Sequence, residues 1–272
     1  MKKILLIAAT LVLALSCSGN KAPKALVLYY SQSNNTKAVA EQIATLTGAD
    51  IEAFVLEEPY DGTYQETIAR WGRERQEGVL PTVKPIKADL AAYDVIFLGY
   101  PIWGGTYAPA IAAWLDQVDL SGKKVVPFCT FGSGGLESSV NDLVACQPNA
   151  EVLPGYGVRQ ARMAAMPAEV DRFLKEGGFV EGECVPLADF AEQHPVSEEE
   201  TAVFDAAVDG YPMLHAKATA VATRALPDGM EYRFTAVDLP REDKPDMPPA
   251  GEITVYVTVA AGESPVFTKV IR

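Results

Sequence analysis

Tyr30-Ser31-Gln32-Ser33-Asn34-Asn35-Thr36-Lys37 joins two stretches of different period. Before it, Ala25 to Tyr30 is an unbroken apolar run, the pattern of a parallel strand buried on both faces. After it, Thr36 to Leu46 sets Val39, Ile43 and Leu46 on one helix face. The turn between them is filled with hydroxyl and amide side chains. Backbone N–H groups converge in such a turn, and the helix N-terminus adds positive potential. A phosphate site built this way needs no arginine. Ser31, Ser33 and Thr36 can add hydroxyl donors and Asn35 an amide, while Gln32 and Asn34 complete the turn. The same residues would also serve a plain capped connection from strand to helix.

The alternation continues along the chain. Strands are expected over Ile51–Leu56, Val95–Leu98, Lys124–Thr130 and Glu151–Leu153. Tyr64–Gln76 reads as a charged helix or a long crossover, and helices are expected over Ala108–Val118, Leu136–Ala145 and Ala168–Lys175, the last stopped by Gly177-Gly178. Five strands alternating with helices imply a doubly wound α/β sheet. Pro127 resists, since proline cannot donate to a ladder; a bulge or an unpaired position is expected there.

Two more segments end strands. Gly99-Tyr100-Pro101-Ile102-Trp103-Gly104-Gly105-Thr106 follows the third, and Thr130-Phe131-Gly132-Ser133-Gly134-Gly135 the fourth. In an open α/β sheet ligands bind at the carboxyl ends of the strands, where strand order reverses. Glycines let backbone approach a flat ring, and Trp103 offers a stacking face. Against this, a lone Trp is commonly a core aromatic, and a glycine run can simply be a turn.

Together these segments resemble the flavodoxin family, particularly its short bacterial branch. The resemblance is carried by Tyr29 to Lys37, by Asp94-Val95-Ile96-Phe97-Leu98-Gly99-Tyr100-Pro101-Ile102-Trp103, and by Pro127-Phe128-Cys129-Thr130. It spans about Lys24 to Gly178. It implies a flavodoxin-like five-stranded sheet of order 2-1-3-4-5 with FMN as cofactor. The FMN phosphate would lie on the loop Ser31 to Thr36. The ring would lie between Pro101, Ile102, Trp103, Gly104 and Gly105 on one side and Thr130, Phe131, Gly132, Ser133 and Gly134 on the other. The family has glycine where Asn34 stands, and asparagine tolerates the left-handed backbone better than most residues.

From Cys184 the composition changes, and residues 184–272 are expected to form a small α+β domain after a flavodoxin-like domain over 25–183. Ser197–Val208 reads as a helix capped by Ser197. Leu214–Ala225, Glu231–Val237, Glu252–Ala260 and Val266–Ile271 read as antiparallel strands, with a proline-rich loop at Arg241–Ala250. Their order weakly resembles a cystatin-like fold.

At the N-terminus, Lys2 and Lys3 precede the apolar run Ile4–Leu15, too short for a comfortable permanent anchor. Ala14-Leu15-Ser16-Cys17 resembles a lipobox, with Leu13 one place further back than usual. The expected processing removes residues 1–16 as a signal peptide and diacylates Cys17, leaving 17–24 as a tether; an ordinary cleaved signal is the alternative. Three cysteines then remain, Cys129, Cys146 and Cys184, an odd count unlike a disulfide framework, although a bridge between two of them is open.

A formal charge of −13 argues against nucleic acid as a partner. The two histidines, His194 and His215, lie late in the chain, so no metal site and no Ser-His-Asp set is expected. No side chain stands out as catalytic, which suits a protein whose cofactor carries the chemistry. Three functions remain: an FMN electron carrier held at a membrane through Cys17 and serving an unidentified redox partner, an FMN-dependent NAD(P)H:quinone or nitro-compound reductase, or a surface lipoprotein using the fold as a binding scaffold.

Overall fold

The computed structural model describes residues 23–209, 211, 214–240 and 249–272. The expected signal segment, Cys17 and most of the tether lie outside them, as does most of the proline-rich loop.

The chain first alternates β1 (Ala25–Tyr29), α1 (Asn35–Thr47), β2 (Asp50–Ala53), α2 (Tyr64–Glu77), β3 (Val95–Trp103), a two-residue β4 (Thr106–Tyr107), α3 (Pro109–Leu115), β5 (Lys124–Phe131), α4 (Leu136–Cys146), β6 (Glu151–Val152), β7 (Tyr156–Arg159) and α5 (Met166–Glu176). The sheet runs β2-β1-β3-β5, with β6 and then β7 as the fifth strand. All these pairs are parallel, and the order is the one the family resemblance implies. Period-2 alternation divides β1 between two cores. Val27 and Tyr29 face α1 and α5 with Val39, Ile43, Val170 and Leu174. Leu26 and Leu28 face the other layer with Ile111, Trp114 and Leu143. Each fully buried aliphatic side chain contributes about 1.5–3 kcal/mol.

Pro127 is neither bulged nor frayed; it pairs in register with Leu98 of β3. On its other side, the Val125 carbonyl accepts from Leu153 N–H at 2.9 Å. Two residues on, Pro127 turns its backbone the same way, and there the fifth strand is broken between Val152 and Tyr156. A side chain at Gly155 would start 2.7 Å from the Pro127 carbonyl oxygen, so the break packs tightly around the missing donor. The fifth strand is therefore two pieces rather than the single Glu151–Leu153 expected. β3 also runs further than expected, because Pro101 still pairs with Thr130 before the chain doubles back into β4.

The second sheet is antiparallel, in the order β12-β11-β10-β9-β8. Its elements are β8 (His194–Pro195), α6 (Glu198–Val208), β9 (Ala216–Leu226), β10 (Gly229–Asp238), β11 (Glu252–Ala260) and β12 (Val266–Ile271). Ser197 caps α6 as expected, in a reciprocal box: Glu200 N–H donates to Ser197 Oγ at 3.2 Å and Ser197 N–H to the Glu200 carboxylate at 2.9 Å. A core of its own, with Phe204, Phe234, Val255 and Phe267, makes it a separate C-terminal domain. Cys129, Cys146 and Cys184 are free thiols.

Candidate functional site

The turn after β1 is held from inside. Tyr30 N–H donates to the Gly99 carbonyl of β3 at 3.0 Å, so the loop starts at the sheet's carboxyl edge. Asn34 then takes φ 65°, alone among non-glycine residues described. That left-handed step is what the family's glycine would supply, and it turns the chain directly into α1. Ser31 Oγ accepts from Lys37 N–H at 3.2 Å, and Asn35 Nδ2 donates to Ser33 Oγ at 3.2 Å. The N–H groups of Asn35 and Thr36, at the start of α1, have no helical acceptor and remain for an outside anion. The nearest cation in the sequence of this turn, Lys37, pairs with Glu41 at 3.7 Å.

Thr36 also has a partner inside the protein. It is buried, and its hydroxyl lies 2.8 Å from that of Thr130, also buried, at the end of β5. Two hydroxyls hold two protons and one is spent between them, so the pair keeps one donor for a third partner. The phosphate turn and the loop after β5 are thereby tied together.

Gln32 reaches the other way. Its carboxamide oxygen accepts from Tyr30 Oη at 2.7 Å and its nitrogen donates to the Tyr60 carbonyl. Burial pushes the Tyr30 phenol up to about 12, with Arg70 opposing, so it stays protonated and donating at neutral pH. Tyr60 Oη in turn donates to Glu74 of α2 at 2.5 Å, and Arg70 lies over the Tyr60 ring.

Pro101, Ile102 and Trp103 end β3. Gly104 and Gly105 form the turn to β4, with φ 59° and 92°, the signs that a tight two-residue hairpin requires. Trp71 closes one side of Gly104: a side chain there would start 2.8 Å from the Trp71 ring. Trp103 meets Tyr60 and Trp71 edge-on, with centroids 5.1 and 6.1 Å away. Beyond it is a cavity of ≈ 300 Å³ walled by Trp71, Leu80, Tyr107 and Pro109.

The loop after β5 contacts both domains. Phe131 packs into the core, against Gly157. Gly135 lies against Ile102, and Ser138 Oγ donates to the Gly105 carbonyl, which joins this loop to the β3–β4 hairpin. The Gly132 carbonyl accepts from Arg159 Nε at 2.7 Å, and the Ser133 carbonyl from Val270 N–H of β12 at 2.8 Å. Gly134 has no room for a side chain, because one would start 2.4 Å from the Val270 carbonyl oxygen.

The three loops thus meet at one edge. Tyr60, Trp71, Arg159 and Val270 also belong to this edge, and none was foreseen. Tyr60 sits in Pro59-Tyr60-Asp61-Gly62, a turn signature; the contacts of Arg159 and Val270 cross between domains and leave no local pattern. The neutral, hydroxyl-rich turn with free amides fits a phosphate, and the hairpin with its aromatic neighbours fits the flank of a flat ring.

Residues 24–168, just over half the chain, match the family described as Flavodoxin. A protein of Gluconacetobacter diazotrophicus, named NAD(P)H dehydrogenase (quinone), is 35% identical over 95 residues, 35% of this chain and 46% of that protein. One of the same name from Cupriavidus metallidurans is 31% identical over 134 residues, 45% of this chain and 64% of that protein. The chain therefore spans less than two thirds of either relative. Among solved structures, a flavoprotein of Lactobacillus acidophilus in complex with FMN is 24% identical, with 56% of this chain and 98% of that chain covered and a TM-score of 0.46.

Proposed function

Because the chain belongs to the flavodoxin family, we propose that it is an FMN-binding redox protein that passes electrons at a membrane surface, anchored through a lipid on Cys17. FMN is the cofactor the family brings, and it supplies the electron chemistry. The observation that carries the reading is the turn Ser31–Thr36, in which left-handed Asn34 opens α1 toward an anion while the Thr36–Thr130 pair binds this turn to the loop after β5. The chain's residues bind and orient: the turn takes the phosphate, the β3–β4 hairpin flanks the ring, and Trp103 with Tyr60 shields it from water.

A second reading, an FMN-dependent NAD(P)H:quinone or nitro-compound reductase, is favoured by the cavity beside Trp103. It also draws support from the quinone dehydrogenases to which part of the chain is similar. Protein purified after secretion should be yellow, and apoprotein titrated with FMN should quench flavin fluorescence to a stoichiometric endpoint. Colourless protein that takes up no FMN sinks both readings and leaves a binding scaffold. Steady NADPH oxidation with a quinone selects the reductase; its absence selects the carrier.

A further inference from the structure

Arg159 ends β7 beside Phe131, the last residue of β5. It is half-buried and, among the described residues, has no carboxylate within ion-pairing distance. Desolvation lowers its pKa, but a guanidinium keeps its charge at neutral pH. Its Nε donates to the Gly132 carbonyl at 2.7 Å, and another nitrogen donates to the Phe267 carbonyl of β12 at 2.9 Å. Its plane lies 4.8 Å from the Tyr211 ring centroid and 4.7 Å from that of Phe267.

A half-buried cation without a counter-ion is a costly way to dock two domains; an apolar side chain would do it more cheaply. The charge is placed directly behind a loop that faces the candidate cofactor edge. The same loop is fixed by Val270 on Ser133 and by the close approach at Gly134, and Lys269 pairs with Glu137 just beyond at 2.6 Å. Residues 132–137 are therefore anchored to β12 as well as to their own domain.

We propose that Arg159 is a positioning residue of the cofactor site, and that through it the C-terminal domain forms the back wall of the loop Thr130–Gly135. This rests on reading that loop as part of an FMN site. Loop geometry and domain docking then form one equilibrium, so FMN and the docked domain stabilise each other reciprocally. The fixed positive charge also favours the electron-rich form of the cofactor.

The test uses the full mature chain with Arg159→Ala, Arg159→Lys and Gly134→Ala. Amide exchange without flavin reports the clamp, FMN titration reports affinity, and the midpoint potential of bound FMN reports the charge. Arg159→Ala should speed exchange in 130–137 and 266–271, leave α1 and α5 protected, and lower the potential. Its FMN affinity should fall by about tenfold or more, as for loss of hydrogen bonds from a charged donor. Arg159→Lys should restore the potential and only part of the affinity, because its ammonium cannot reproduce the fork. Gly134→Ala, which pushes on Val270 without removing charge, should loosen the loop and weaken FMN while leaving the potential unchanged. Wild-type protein that takes up no FMN overturns the functional reading and this inference with it. Wild-type protein that binds FMN, with variants matching it in affinity and potential, overturns the inference alone.

Discussion

Asn34 carries the backbone constraint on which the phosphate turn depends. A left-handed backbone costs a residue with a Cβ about 1–2 kcal/mol, and asparagine less than most. Asn34→Ala should therefore lower stability by about 1 kcal/mol in urea unfolding. Asn34→Gly should change it by no more than about 0.5 kcal/mol, because relief of strain is offset by a freer unfolded chain. Equal losses in both would mean that the Asn34 side chain itself is what matters. Thr36 and Thr130 share one buried hydrogen bond at 2.8 Å. Thr36→Val strands the Thr130 hydroxyl and should cost about 1–3 kcal/mol, as should Thr130→Val. The double variant should cost clearly less than the sum, and strict additivity would dissolve the pair. For the ligand, Thr36→Ala should weaken FMN by about 1.5–3 kcal/mol and riboflavin hardly at all. Tyr30 adds a pH dependence. Its phenol is raised from 10.0 to about 12, mainly by burial. A raised pKa means the folded state holds the proton more tightly, so this contribution is complete below about pH 10 and is lost as pH climbs toward 12. Tyr30→Phe should flatten that alkaline loss; an unchanged curve would assign it to other tyrosines.

The elements were legible wherever period and caps agreed. α1, α2, α4, α5 and α6 lie within two residues of their expected bounds: α1, α4 and α5 bury a face at helical spacing, and α2 and α6 open on capping boxes. Four strands were not; β4 and β8, at two residues each, are too short to carry any pattern. β3 reads as ending at Leu98, since Gly99-Tyr100-Pro101 looks like loop, yet pairing with β5 carries it to Trp103. β7 has only four residues behind Pro154-Gly155, too few for a period to show. The site was legible to the same depth. The turn, the hairpin and the β5 loop were found from residue type and strand ends, but the packing of Trp71 from α2 against Gly104 is a contact no local pattern encodes. Gly104→Ala tests this: it meets both φ 59° and the Trp71 ring. It should destabilise by at least the 1–2 kcal/mol of a left-handed alanine and reduce the near-ultraviolet circular dichroism of the Trp71–Trp103 pair. Loss of stability with an unchanged aromatic signal would mean that Trp71 has room to spare.

At the scale of the whole molecule, two sheets and their separate cores follow from composition and strand order. The docking of β12 onto the β5 loop does not, because contacts between distant segments have no period to read. Charge gives the last prediction. The chain carries −13, and removal of residues 1–16, as proposed, would take away Lys2 and Lys3 and no acid, leaving −15. Anionic lipid surfaces attract basic segments, and this chain offers an excess of acid instead. The net charge therefore gives no general pull toward such a surface, and no helix among the described residues is long and apolar enough to cross a bilayer. In the proposed reading the lipid carries the attachment, where two acyl chains suffice and one is marginal. The eight residues from Cys17 to Lys24 can span at most about 29 Å, which would hold the amino end of β1 near the surface and leave the cofactor edge, at the strands' carboxyl ends, facing away from it. Wild-type protein should sediment with membranes at high as well as low salt and show a diacyl mass on Cys17. Cys17→Ala should appear in the soluble fraction at every salt concentration, with the same visible spectrum and FMN affinity. A Cys17→Ala protein that still sediments with membranes would place the anchor elsewhere. Release of the wild type by salt alone would replace the lipid with a basic partner.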